Sequence, residues 1–194
     1  KPFFLDLNLA YGRTSNDIVS KINMAGVAGS NSGSFDTDSL MASVLASYHL
    51  TFNDGATVLA PYLGLEYFYA HQDGYTEHGA LDRHVDSLHD DVVTLPVGVI
   101  LKHTFKGETF TVTPEVGIAY ARDLNEFDPS VRTGYGTATR LSAHGVDVGR
   151  DALRVSAGVT TSVGNDLELF ARYGLEKREN YTNNQVMVGL QFKF

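Results

Sequence analysis

The chain has 194 residues, 43% of them hydrophobic, enough for one domain or one medium barrel; its net charge of −8 argues against nucleic acid as a partner. It contains no cysteine, which excludes a disulfide framework, a zinc–thiolate site and a cysteine nucleophile. No run reaches 18 apolar residues, so a transmembrane helix is excluded, and the opening at Lys1 without a methionine is that expected of a mature or excised product.

Period-two alternation is the dominant signal, and it predicts strands. Phe3 to Arg13 sets Phe3, Leu5, Leu7, Leu9 and Tyr11 against Phe4, Asp6, Asn8, Ala10 and Gly12. Thr14 to Thr37 is polar and rich in Ser, Asn and Gly, the composition of an exposed loop. A second strand, Asp38 to Thr51, carries Leu40, Ala42, Val44, Ala46, Tyr48 and Leu50 on one face, and Asn53-Asp54-Gly55 then signals a tight hairpin. Thr57 to His71 presents Leu59, Pro61, Leu63, Leu65, Tyr67 and Tyr69 on one face and Tyr62, Gly64, Glu66, Phe68 and Ala70 on the other. Gln72 to Ser87 is a second long polar loop. Leu88 to Phe105 offers Val93, Leu95, Val97, Val99 and Leu101, and Lys106-Gly107-Glu108 turns the chain into Thr109 to Arg122. There Val112, Pro114, Val116, Ile118 and Tyr120 oppose Glu115, Gly117 and Ala119. Asp123 to Gly149 is the third long loop. Arg150 to Val163 and Leu167 to Lys177 flank the turn Gly164-Asn165-Asp166, and a turn at Asn180 to Asn183 leads to a terminal strand, Gln185 to Phe194. Eight antiparallel strands are predicted.

Two features make the pattern specific. None of the outward apolar positions is Asp, Glu, Lys or Arg, whereas the other face carries Asp6, Glu66, Glu115, Arg154, Glu168, Arg172, Glu176 and Lys193. Charge on a lipid face costs about 2–4 kcal/mol at mid-membrane, while charges inside a barrel can pair or hydrate. Long polar connections also alternate with turns of about three residues, as external loops and periplasmic turns do. The reading is an all-β, up-and-down, transmembrane β-barrel. A soluble ligand-binding barrel of lipocalin type would leave a bare apolar girdle in water.

Candidate chemistry is sparse. Glu66, Glu115, Arg154, Glu168 and Arg172 are expected to line the lumen as a polar network, either contacting a threaded chain or simply neutralising one another. Inward glycines, Gly98 and Gly189 among them, suit either close packing of Tyr62 and Phe170 or relief of crowding. His78, Asp82, His84, Asp86, His89, Asp90 and Asp91 crowd the second long loop, but their spacing fits no metal-ligand pattern. His71 with Asp73 lacks an orienting third group and a nucleophile. No catalytic residue, metal or cofactor is expected.

Taken together, Ser32–Ala80, TVTPEVGIAYARDLNEFDPSV (Thr111–Val131) and Arg150–Phe194 resemble the β-domain of autotransporters (type V secretion). The matching pieces are Pro61-Tyr62 with Gly64-Leu65, Asp73-Gly74-Tyr75, Thr113-Pro114-Glu115, Asp128-Pro129-Ser130 and the final aromatic strand, in that order. The resemblance implies a Gram-negative outer-membrane domain that supports export of a passenger polypeptide to the cell surface. Family barrels have twelve strands and a helix threaded through the lumen. This chain matches the last eight strands, so residues 1–194 are expected to be one barrel domain forming the C-terminal part of a larger barrel. The linker helix, the first four strands and the passenger-cleavage site have no counterpart here. Val188, Leu190, Phe192 and Phe194 resemble the signal read by the barrel-assembly machinery. The implied partners are outer-membrane lipid, that machinery and a passenger segment in the lumen. The alternative is a self-contained eight-stranded structural or adhesive barrel acting through its long external loops.

Overall fold

A computed structural model describes residues 2–24, 26–125, 130–135, 140–164 and 166–192. All regular structure among them is antiparallel β, in fourteen strands. In chain order these are β1 (Phe3–Met24), β2 (Val27–Tyr48), β3 (Leu50–Phe52), β4 (Thr57–Gln72), β5 (Tyr75–Gly79), β6 (Arg83–Val85) and β7 (Leu88–His103). There follow β8 (Phe105–Lys106), β9 (Phe110–Asp123), β10 (Ser130–Tyr135), β11 (Leu141–His144), β12 (Asp151–Val163), β13 (Leu167–Lys177) and β14 (Thr182–Phe192).

The main sheet runs β1–β2–β4–β7–β9–β12–β13–β14, each strand beside its successor. Its short connections use backbone that suits them: Asn53, Asp54 and Gly55 all take positive φ at the β3–β4 turn, where side-chain amide and carboxyl groups tolerate the left-handed region. Pro96 is fully buried and interrupts the β4–β7 ladder between the pairs Leu63–Val97 and Glu66–Thr94. Gly64, lacking a Cβ, leaves the space the proline ring occupies.

Fourteen strands replace the eight expected because the long connections are themselves pleated. Thr14 to Thr37 is not a loop: the β1–β2 register is unbroken from Phe3 opposite Tyr48 to Met24 opposite Val27. Each of these 22-residue strands extends about 73 Å, well past a bilayer core of roughly 30 Å. Strands β5, β6, β10 and β11 then attach to β2 edge to edge, in the order β11–β10–β6–β5–β2. Polar side chains on both faces hid these strands from an alternation test, since pairing in water needs no apolar face. The remaining additions, β3 and β8, continue β2 and β7 beyond short interruptions.

The main sheet is strongly curled. One cavity of about 340 Å³ is lined by Tyr62 of β4 and by Asn183 and Gln185 of β14. Those strands are five inter-strand spacings apart, about 24 Å in a flat sheet. Within the main sheet the buried apolar side chains lie on this concave face and are small, Ala60, Ala119, Ala121 and Ala152, while Ile22 and Val85 are buried in the long-connection region. The convex face is apolar and open: Val155 and Val159 in the middle of the sheet are 37% exposed, and Val186 and Val188 on β14 reach 73% and 75%. Among the described residues no pairing joins β1 to β14.

Candidate functional site

Register decides which side chains meet on the concave face. In β12 the even residues Ala152, Arg154 and Ser156 turn inward, each beside an inward neighbour: Arg154 faces Ala119 of β9 and Glu176 of β13. Arg154 donates from Nη1 to both carboxylate oxygens of Glu66, at 2.8 and 3.1 Å, and from Nε to Glu176 at 2.8 Å. Its path to β4 crosses β9 and β7, and Ala119, directly beside it on β9, is small enough to leave the guanidinium room. Glu176 also accepts from Arg178 Nε at 2.7 Å. Arg178 bonds Asp123, which is fixed in turn by the Thr94 hydroxyl at 2.7 Å. One chain of alternating charge therefore ties β4, β9, β12 and β13 together.

A second cluster lies nearer the short turns. Glu115 is held by Lys102 Nζ at 3.1 Å and by Arg172 Nε at 3.1 Å. The Arg172 guanidinium stands 5.1 Å from the centroid of the Phe170 ring, and the Phe170 ring fills the space over Gly189 of β14. Glu168 is on the same face, opposite Gln191 and Ser162.

The five lumen residues expected from sequence thus divide: Glu66 joins Arg154, Glu115 joins Arg172, and Glu168 lies a further turn of the pleat away. Sequence reasoning missed Lys102, Asp123 and Arg178. Lys102 shares its parity with Gly98 and Ile100, so alternation could have found it. Asp123 and Arg178 sit at strand ends, where the pattern had already faded.

The convex face carries two aromatic belts of different chemistry. Phe3, Tyr48, Phe52, Phe105, Phe110 and Phe192 mark the end with the short turns. Tyr11, Tyr120 and Tyr173 mark the other, and each hydroxyl donates to an acceptor just beyond it. Tyr11 bonds Asp38 at 2.5 Å, Tyr120 bonds Asp151, and Tyr173 bonds Asn184 at 2.6 Å. Ten residues separate Phe110 from Tyr120, about 25 Å once strand tilt is allowed for, the height of an outer-membrane apolar band.

At the long-loop end the acidic and histidine side chains pair off separately. His78 meets Asp82 at 3.0 Å, His84 meets Asp86 at 3.2 Å, and His71 meets Asp73 at 3.2 Å. Arg140 binds both oxygens of Asp86, which locks the second long connection to the third. The His78 imidazole and the Gly79 amide hold the Asp82 carboxyl below the usual carboxylate range. No group of three or more metal-ligating side chains converges among the described residues. Glu77 is fully buried on the inward face of the β5–β6 hairpin and pairs with Arg83. In the terminal strand Val188, Leu190 and Phe192 point outward from the unpaired side of the sheet, while Phe194 lies outside the described residues.

Comparison with known proteins accords with this geometry. A family model described as the autotransporter beta-domain matches residues 1–174. The chain is similar to three probable outer membrane proteins of Chlamydia pneumoniae. It is 25% identical to pmp10 and 23% identical to pmp7 over its whole length, and 28% identical to pmp2 over 69% of it. It spans about a fifth of the length of these relatives, 21% of pmp10 and 20% of pmp7. In fold it is similar to the translocator domain of autotransporter NalP from Neisseria meningitidis. The TM-score is 0.63 at 24% identity, covering 98% of this chain and 60% of that one.

Proposed function

This chain belongs to the autotransporter β-domain family and is an outer-membrane domain, and we propose that it anchors a longer polypeptide and supports export of that polypeptide's passenger segment. One observation carries the reading: between the two aromatic belts, the convex face of the main sheet carries no charged side chain, and the charges at that height, Glu66, Glu115, Arg154 and Arg172 among them, fall on the concave face. A lipid-facing wall with a hydrated interior needs this arrangement. The role is passive, without catalysis: the interior offers a polar surface, and the convex face holds the domain in lipid.

The unpaired sides of β1 and β14 bear on completeness. In hydrocarbon each backbone N–H and C=O needs a partner, so an open sheet cannot remain open in a membrane. Residues 1–194 supply the C-terminal strands of a larger barrel in this reading, with further strands seated between β14 and β1. Before closure the outward set Val188, Leu190 and Phe192, with Phe194, serves the assembly machinery as a strand-addition signal. The short turns face the periplasm, and the β1–β2 arm with its attached strands faces outward.

Two measurements on native outer membranes test this. The intact mass of the species carrying this sequence should greatly exceed the 21.1 kDa of the chain. External protease on intact cells should release the upstream segment and leave the barrel. A native species of 21.1 kDa would sink export and leave a small loop-displaying barrel in its place.

A further inference from the structure

Between the two ionic clusters the concave face is nearly bare. Gly117, Ser156 and Gly174 lie side by side in one register row across β9, β12 and β13 and floor the 340 Å³ cavity. Its rim includes Tyr62, Arg154, Asn183 and Gln185. A Cβ placed on Gly174 would meet nothing within 4 Å, so the space above this floor is unfilled. Arg154 precedes Ser156 by two residues and Arg172 precedes Gly174 by two, which sets one guanidinium on each side of the floor because β12 and β13 run in opposite directions.

Hydrogen-bond capacity around this floor is lopsided. Glu176 already accepts on one oxygen from Arg154 and on the other from Arg178. Both oxygens of Glu66 are taken by Arg154, and Glu115 is engaged on one by Lys102 and on the other by Arg172. The cations are less used. Among the described residues Arg172 donates from Nε alone and is 49% exposed, and Arg154 donates from Nε and Nη1, leaving Nη2. A guanidinium has five N–H donors. The amides of Asn183 and Gln185 add further donors. Every oxygen of these three carboxylates is thus engaged by a cation, while guanidinium N–H groups are left over.

We propose that this groove seats a carboxylate side chain of the exported polypeptide, received between Arg154 and Arg172 over the Gly117–Ser156–Gly174 floor. The proposal rests on the export reading for the identity of its occupant and on the groove alone for its chemistry. A carboxylate supplies acceptors for the N–H groups that Arg154 and Arg172 have left over, and charge-assisted bonds of this kind are the stronger ones. The glycine–serine floor lets a polypeptide backbone approach closely enough for an Asp or Glu to reach both.

The chain has no cysteine, so a single thiol reports on the groove without interference from its own sequence. Gly174→Cys is the reporter of choice because its side chain enters open space, and Ser156→Cys serves if that variant does not fold. The protein in isolated outer membranes is treated with anionic sulfonatoethyl or cationic trimethylammonioethyl methanethiosulfonate, and modification is followed by the mass of the peptide containing the thiol. Relative to a free thiol, the anionic reagent should react at least about fivefold faster than the cationic one. Arg172→Gln should bring the ratio close to one, and Arg172→Lys should retain most of it. Equal rates, a preference for the cation, or a ratio untouched by Arg172→Gln would overturn the proposal. If the preference holds but Arg172→Gln leaves surface display of the upstream segment unchanged, the groove binds anions while the exported chain is eliminated as its occupant.

Discussion

At the scale of single residues, Arg154 is the hub of the concave face, bound to carboxylates of two different strands. Arg154→Met should destabilise the folded domain by about 1–3 kcal/mol, less than for a fully buried pair because both partners are partly exposed. The loss should shrink when Glu66→Gln accompanies it, since the neutral amide leaves no uncompensated charge. Urea unfolding in lipid vesicles reads both. Glycines give a sharper contrast. A Cβ at Gly98 would sit 2.7 Å from the Tyr62 ring and 2.7 Å from Ala119 Cβ, so Gly98→Ala should cost about 1–3 kcal/mol. Gly174→Ala meets open space and should be neutral or stabilise by up to about 1 kcal/mol. The inward facing of Glu66, Glu115, Arg154 and Arg172 followed from parity alone. That Glu66 would find Arg154, 88 positions on, did not, because curl brings together strands whose pairing order no local pattern encodes.

At the scale of elements, the β1–β2 arm is the largest departure from expectation. Its apolar half was evident from Leu5, Leu7, Leu9 and their partners. Its polar half looked like loop because Ser, Asn, Thr and Gly carry no periodic contrast. What extends it is propagation: a register fixed by the apolar half continues upward until Gly26, at φ +87°, allows the reversal. The arm also supports its neighbour. Asn31 is buried and clamps the backbone of Leu81 through both ends of its amide, and Ser32 pairs with His78. Asn31→Ala should therefore raise proteolysis between residues 75 and 85 while heat-modifiable migration of the barrel persists. The turn between β5 and β6 carries its own pH signature. The Asp82 carboxyl has a lowered pKa in the fold, so its bonds to His78 and Gly79 are in place above the unfolded Asp value, near 3.9. They are lost only as pH falls through the lowered folded value. The Gly79 amide resonance should accordingly titrate below about pH 3.9 in the native protein, and Asp82→Asn should abolish that titration.

At the scale of the whole molecule, the sorted faces make an asymmetric forecast. Val116→Arg, halfway between the belts on the convex face, should destabilise the membrane-inserted domain by about 2–4 kcal/mol. Thr160→Lys on the concave face should cost far less, since water or Glu115 can receive it. Unfolding in vesicles compares the two. The global plan was legible because lipid imposes one rule on every strand, whereas how the sheet closes is not encoded in any local pattern.

The two belts also make the domain mechanically one-sided. Displacement toward the periplasm would drag Asp38 and Asp151, each tethered to a belt tyrosine, into hydrocarbon within a few ångströms of travel. Displacement the other way first draws in aromatic rings, the phenylalanines and Tyr48, which hydrocarbon resists far less than a carboxylate. The restoring force is therefore stiff in one direction and soft in the other, like a rivet with a single head, and in the proposed orientation that head is on the cell surface.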